Sequence, residues 1–242
     1  MRVAVISDIH GNLHALEAVL AAIDGEAPDA VWCLGDLVGY GPRPNECCTL
    51  VAARASLCLI GNHDLGVLGR IDLDEFSPDA SAVARWTQTQ LTDSARTYLE
   101  GLEPTAAEQG AELFHGSPRD PVWEYVLSAE AAYEAMRLTS APLVLVGHSH
   151  IALALTLAND ELGGGLAPEG TQLDLTEGRW LLNPGSVGQP RDGDPRAAYL
   201  WLDLDRRFAA FRRVPYPVQT TQAEMREQGL PESLAGRLAE GH

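Results

Sequence analysis

Apolar runs and helical spacings alternate through the first 65 residues. Residues 2–6 form a short apolar run that stops at Ser7-Asp8 and predicts a strand. Leu13, Leu16, Leu20 and Ile23 then recur at helical spacing, with Asn12 placed as an N-cap. A second strand is predicted at 30–34, ending in Gly35-Asp36, a helix from Pro44 to about Arg54, and a third strand at 55–60, ending in Gly61-Asn62-His63-Asp64. This βαβ rhythm is most simply accommodated by a parallel sheet. Ser77-Pro78 opens a helical stretch reaching Gly101, with a break near Thr92-Asp93 that divides it in two. A short strand at 111–114, a helix at about 128–138 and an apolar strand at 143–146 follow. From 151 onward the pattern changes to short runs at 151–157, 171–175, 180–182, 198–204 and 208–213 between Gly- and Pro-containing turns, which favours antiparallel strands. The expectation is an α/β chain forming a single domain over 1–242 with a two-sheet core, and a helical segment at 70–100 that either shapes the substrate crevice or simply packs on a sheet.

Composition narrows the function classes. The 242 residues carry 17 Lys and Arg against 34 Asp and Glu, a formal charge of -17. So acidic a chain repels polyanions, which argues against nucleic acid as a partner. No apolar stretch reaches the ~18 residues of a membrane span, and the opening run is too short for a signal peptide. The four cysteines, Cys33, Cys47, Cys48 and Cys58, form no CxxC pair and lie mostly in apolar surroundings. They read as buried thiols in a reducing, cytoplasmic setting.

The chemistry gathers at the ends of apolar runs: Asp8-Ile9-His10, Gly35-Asp36, Gly61-Asn62-His63-Asp64, His115-Gly116-Ser117 and Gly147-His148-Ser149-His150. Only His14 and His242 of the seven histidines fall outside these clusters. Any one of them could be a turn satisfying its own hydrogen bonds. Five of them, each held by a preceding strand, can instead face one crevice at the C-terminal ends of an α/β sheet. Carboxylates, imidazoles and one carboxamide suit Mn²⁺, Zn²⁺ or Fe, with manganese the first expectation, and disfavour a thiolate-rich zinc site. The inventory exceeds one tetrahedral ion and suits two, an arrangement that activates water and clamps a phosphoryl group.

In this order the motifs resemble those of the calcineurin-like metallophosphoesterase superfamily over roughly residues 1–203. The turn Gly39-Tyr40-Gly41-Pro42 and the stretch Asn183-Pro184-Gly185-Ser186 are similar to those of its small prokaryotic phosphodiesterases. The resemblance implies a four-layer α/β/β/α sandwich with two mixed sheets. It implies one ion held by Asp8, His10, Asp36 and His150, and a second held by the bridging Asp36 with Asn62, His115 and His148. His63 would stand outside both, as phosphate clamp or general acid. Protein phosphatases of the superfamily carry an acid and an arginine where this chain has Gly39 and Tyr40, which argues against a protein substrate.

The expected function is hydrolysis of a small phosphodiester, with phosphomonoesters as further substrates, by a metal-bridging hydroxide. Alternatives are a nucleotide or dinucleoside-polyphosphate pyrophosphohydrolase, and a non-catalytic scaffold of the same fold. Arg43, Arg119 and Arg191 each follow a motif closely and are either phosphate donors or solvated loop residues. Asp64 either orients His63 or points elsewhere. Tyr40 and Trp123 either line the pocket or pack a loop. Ser186 reads as a turn residue, because no nucleophile elbow surrounds it.

Overall fold

The computed structural model describes residues 1–242. Its elements in chain order are β1 (Arg2–Ile6), α1 (Leu13–Glu26), β2 (Ala30–Cys33), α2 (Pro44–Arg54), β3 (Leu57–Cys58), α3 (Asn62–Val67), α4 (Pro78–Gln90), α5 (Asp93–Glu100), β4 (Thr105–Glu108), β5 (Ala111–Phe114), α6 (Ala129–Arg137), β6 (Leu143–Val146), β7 (Ala152–Ala158), β8 (Glu161–Leu166), β9 (Gln172–Asp174), β10 (Arg179–Pro184), β11 (Ala197–Asp203), β12 (Phe208–Val214), α7 (Val218–Glu227) and α8 (Glu232–Glu240).

Two six-stranded sheets result, ordered β3-β2-β1-β11-β12-β9 and β4-β5-β6-β10-β7-β8. Both are mixed. In the first, β1, β2 and β3 run parallel and β11 is antiparallel to β1. In the second, β5, β6 and β10 run parallel, and β7 and β8 complete the edge antiparallel.

The period of two along each strand sorts its side chains between layers. Val3 and Val5 of β1 join Trp32, Leu113, Leu145, Leu182, Leu200 and Phe211 in the core between the sheets. Ala4 and Ile6 face the other way and pack with Leu16, Val19, Leu20 and Ile23 of α1. Across the molecule, Ala132, Ala135 and Met136 of α6 cover Val144, Val146 and Leu181. The order is therefore helix, sheet, sheet, helix, as expected.

The predicted helix starts hold at the level of capping atoms. Asn12 Oδ1 accepts from the Ala15 amide at 3.2 Å, and Thr92 caps α5 at the expected break. The third strand is shorter than the expected 55–60: it ends at Cys58, and Leu59 makes a lone bridge to Glu103. The tail is not wholly antiparallel, because β10 inserts between β6 and β7 and runs parallel to β6. Three further elements carry weak local signals. β4 is a mostly exposed Thr-Ala-Ala-Glu, β8 contains Gly163, Gly164 and Gly165, and α3 is six largely buried residues. Helices α7 and α8 add a small core of Met225, Leu234, Ala235 and Leu238 against Ala80 and Val83 of α4.

Candidate metal centre

All five polar clusters sit just past the ends of β1, β2, β3, β5 and β6, three from one sheet and two from the other. The strand ends bend sharply to bring them together. Asp8, His10, Asp36, His148 and His150 all adopt left-handed backbone conformations, with φ between 50° and 63°. Such strain in non-glycine residues persists only where surrounding structure imposes it. Here the Asp8 amide donates to Gly35 O at 3.0 Å, and the Ile9 and His10 amides donate to Asp36 O at 2.8 and 2.9 Å.

Two groups of ligand-type side chains form. Asp8, His10, Asp36 and His150 make one, and Asp36, His115 and His148 the other; within each, the offered atoms lie within 4.8 Å of one another. Asp36 belongs to both. Asn62 joins the second, its Oδ1 lying 3.2 Å from His115 Nε2. Every one of these residues is buried.

Ring orientation follows from the outer hydrogen bonds. His10 Nδ1 meets Val38 O at 3.1 Å, His115 Nδ1 meets Leu34 O at 2.8 Å and His150 Nδ1 meets Gln189 O at 2.7 Å. Each therefore turns Nε2 inward. His148 is reversed, with Nε2 at 3.2 Å from Trp123 O, which leaves Nδ1 for the centre.

The chemistry of the donor set fits a cation pair. Asp8 Oδ1 and Asp36 Oδ2 are buried with no hydrogen-bond partner, a state that costs free energy unless something meets them. His10 Nε2 and His150 Nε2 face each other at 3.0 Å. Burial drives His10 and His150 well below the ordinary histidine range and His148 down to about 3, so these rings are neutral, the state in which imidazole is a ligand. Burial acts the same way at His115, but the Asp36 and Asp8 carboxylates outweigh it and push that ring up to about 10. Burial also raises Asp8 to about 7. Asp36 instead stays well below the carboxylate range, because the neighbouring histidines, His115 first, overcome its burial.

His63 lies beside the first group and outside both. Its amide donates to Asp36 Oδ1 at 2.9 Å, and its ring stands edge-on to His10 with centroids 4.8 Å apart. Gly39 makes room for it: a Cβ there would lie 2.6 Å from His63 Nδ1, and φ is 91°. Burial lowers His63 to about 4, although Asp36 pulls the other way.

Asp64 does not orient His63. Its Oδ1 accepts from the Leu37 and Val38 amides at 2.9 and 3.0 Å, and its Oδ2 accepts from Gly61 N at 3.0 Å. It ties the second and third loops together instead. Ser186 serves the turn: its hydroxyl donates to Asp8 O at 2.7 Å and accepts from Gln189 N at 2.8 Å. Tyr40 packs against both His10 and His63, with centroids 4.6 and 4.4 Å away. Three participants had no readable sequence signal: Gln189, whose carbonyl holds His150; Phe76, edge-on to His63; and Tyr125, stacked on His148.

Two ligand clusters joined by one carboxylate, at the strand ends of an α/β/β/α sandwich, define a metallophosphoesterase-type fold. The match to the model of the calcineurin-like phosphoesterase superfamily domain over residues 1–207 places the chain in that family. A metallophosphoesterase from Sphaerobacter thermophilus is similar in structure, with a TM-score of 0.91, 45% identity, and coverage of 100% of this chain and 99% of that one. An uncharacterised protein of Methanocaldococcus jannaschii is 37% identical over 242 residues, covering 98% of this chain and 96% of its own. The symmetrical bis(5'-nucleosyl)-tetraphosphatase of Proteus mirabilis is 31% identical over 105 residues, only 37% of this chain and 38% of that protein. No helix is long and apolar enough to cross a membrane.

Proposed function

We propose that the protein hydrolyses the phosphoanhydride of a small nucleotide, with dinucleoside polyphosphates the leading class. Two divalent cations would be held by Asp8, His10, Asp36 and His150 on one side and by Asp36, Asn62, His115 and His148 on the other. The observation that carries a metal-dependent phosphoryl hydrolase is the pair of buried clusters sharing Asp36, with unpartnered carboxylate oxygens inside. When bound, such a cation pair polarises the phosphoryl group and lowers the pKa of the attacking water.

The remaining work falls to the chain's own side chains. Asp36 spans the two clusters. His63 holds a phosphate oxygen or passes a proton to the leaving group; free, it is neutral at pH 7, and an adjacent phosphate anion favours its protonated form. Phe76 and the helices that follow it would shape the crevice, since Phe76 stands edge-on to His63 at 5.1 Å and to Trp123 at 5.2 Å.

Two observations favour a nucleotide anhydride over the simple phosphodiester expected from the motifs. One is the partial likeness to the tetraphosphatase from Proteus mirabilis. The other is Tyr125, which is 45% exposed and stacks on His148 at 3.9 Å and 15°, presenting an aromatic face suited to a nucleobase. Manganese is the first cation to try, with zinc and iron as alternatives. A cytoplasmic setting accords with four free thiols.

The test is kcat/KM of the metal-reconstituted protein across dinucleoside polyphosphates, nucleoside triphosphates, a chromogenic phosphodiester, phosphomonoesters and a phosphoserine protein. The dinucleoside polyphosphate should lead. A diester in first place moves the assignment to phosphodiesterase. Fully metallated protein that turns over none of them is the scaffold.

A further inference from the structure

A phosphate entering this centre brings negative charge into a chain with twice as many acids as bases. Beyond the cations it must be met by a side-chain donor whose charge is not already spent. Three arginines follow the site motifs closely, and the structure separates them. Arg43 is clamped by Glu224, with Nε and Nη2 each 2.9 Å from its carboxylate, and it also reaches Glu46. Arg119 is paired with Glu124. Arg191 has no carboxylate within ion-pair distance, and its Nε is buried without any hydrogen-bond partner.

We propose that Arg191 is the phosphate-contacting arginine of this site, acting beside His63 and pre-set on Tyr40 and Gln189 next to the cluster of Asp8, His10 and His150. The inference rests on the reading of the centre as one that binds phosphate. Arg191 Nη2 donates to Gln189 Oε1 at 3.0 Å and to Tyr40 Oη at 3.3 Å, and its guanidinium carbon lies 5.6 Å from the Tyr40 ring centroid. That ring packs in turn on His10 and His63. These neutral contacts fix the planar fork without cancelling its charge, leaving donors free for a phosphate.

The loop beneath Arg191 is also unusually well tied. Val187 N donates to Ser7 O and Gly188 N to Asp8 O, both at 2.9 Å, and Arg191 N donates to His150 O at 3.1 Å. Asp192, the next residue, is paired with the buried Arg213. Pre-organisation of this kind spares the ordering cost when the ligand arrives.

The experiment is calorimetric titration of inorganic phosphate into manganese-loaded protein, with bound metal counted in every sample. Arg191→Met keeps much of the packing over Tyr40 and removes the charge; it should weaken phosphate binding about 10- to 100-fold at unchanged metal content. Arg191→Lys should recover part of the loss, because it restores charge without the fork. Arg119→Ala should bind as wild type. Wild-type affinity in metallated Arg191→Met overturns the proposal. Should that variant fail to fold, Arg191→Lys decides alone: about 3- to 10-fold weaker binding supports the clamp, and unchanged binding overturns it. Phosphate binding that depends on Arg191 in a protein that hydrolyses no substrate would sink the hydrolase reading and leave the clamp standing. A metallated wild-type protein that binds no phosphate overturns both.

Discussion

The proposed division of labour between the cations and the side chains turns on His63. It touches the shared carboxylate only through its backbone amide and has no carboxylate to hold its ring, since both Asp64 oxygens are taken up by loop amides. His63→Ala should therefore keep two metals per chain while lowering kcat by about 10²–10⁴-fold, the usual cost of losing a positioned proton-transfer group. Metal content and turnover must be measured on the same sample. If His63 supplies the leaving-group proton, the loss shrinks for substrates with good leaving groups; if it only clamps, the loss is uniform. A fully metallated variant with wild-type kcat and kcat/KM removes His63 from the mechanism. At this scale the sequence exposes identity but not environment. The motif spells Gly61-Asn62-His63-Asp64, yet nothing in it says that Asp64 ties its own loop to the amides of Leu37 and Val38, or that position 39 must be glycine because the His63 ring fills the space of its Cβ.

Elements are stitched to the site by ion pairs whose partners are far apart in the chain. Glu224 of α7 accepts from Arg43 at the start of α2 and meets His14 Nε2 of α1 at 3.1 Å. Hydrogen bonds from Arg43 are the main reason the Glu224 carboxyl lies below its ordinary range, and His14 adds to them. Because the folded-state pKa is depressed, this tether contributes stability above the unfolded value of about 4.3 and loses it as pH falls through the folded one. Glu224→Gln should cost roughly 1 kcal/mol at pH 7, limited by the exposure of Arg43, and nearly nothing once wild-type Glu224 is protonated. Urea midpoints of both proteins between pH 3 and 8 check this, and a gap independent of pH would contradict it. Elements with strong local chemistry were readable: α1 from its apolar spacing and Asn12, and α4 and α5 from Ser77-Pro78 and the break at Thr92. Elements that depend on neighbours were not. The three glycines of β8 form a strand because β7 offers an edge, and β10 runs parallel to β6 because it is inserted between two strands already placed.

Across the whole molecule, the centre is a concentration of buried charge that the protein alone leaves partly unsatisfied. Cations that bind the folded state and not the unfolded one raise stability by mass action, about 2.7 kcal/mol at a hundred times Kd. For a chain of this size that corresponds to a Tm shift of roughly 5–10 °C, which chelation should reverse and manganese restore. Asp36→Ala should abolish the shift and lower metal content at both positions, since both clusters use that carboxylate. An Asp36→Ala protein that still binds two ions would refute the bridge. The amino-acid sequence by itself determined the donor inventory, the order of the motifs and the alternation that builds two buried sheets. Those properties reside in residue identity and in periods of two and 3.6. Tertiary structure alone decided that three loops of one sheet and two of the other meet at a single point, and which histidine nitrogen faces inward. It alone decided that Arg43 and Arg119 are neutralised while Arg191 is not. Each of these depends on partners tens to nearly two hundred residues away, or on local turns that only packing selects. No spacing along the chain encodes such distances; only the packed sandwich sets them.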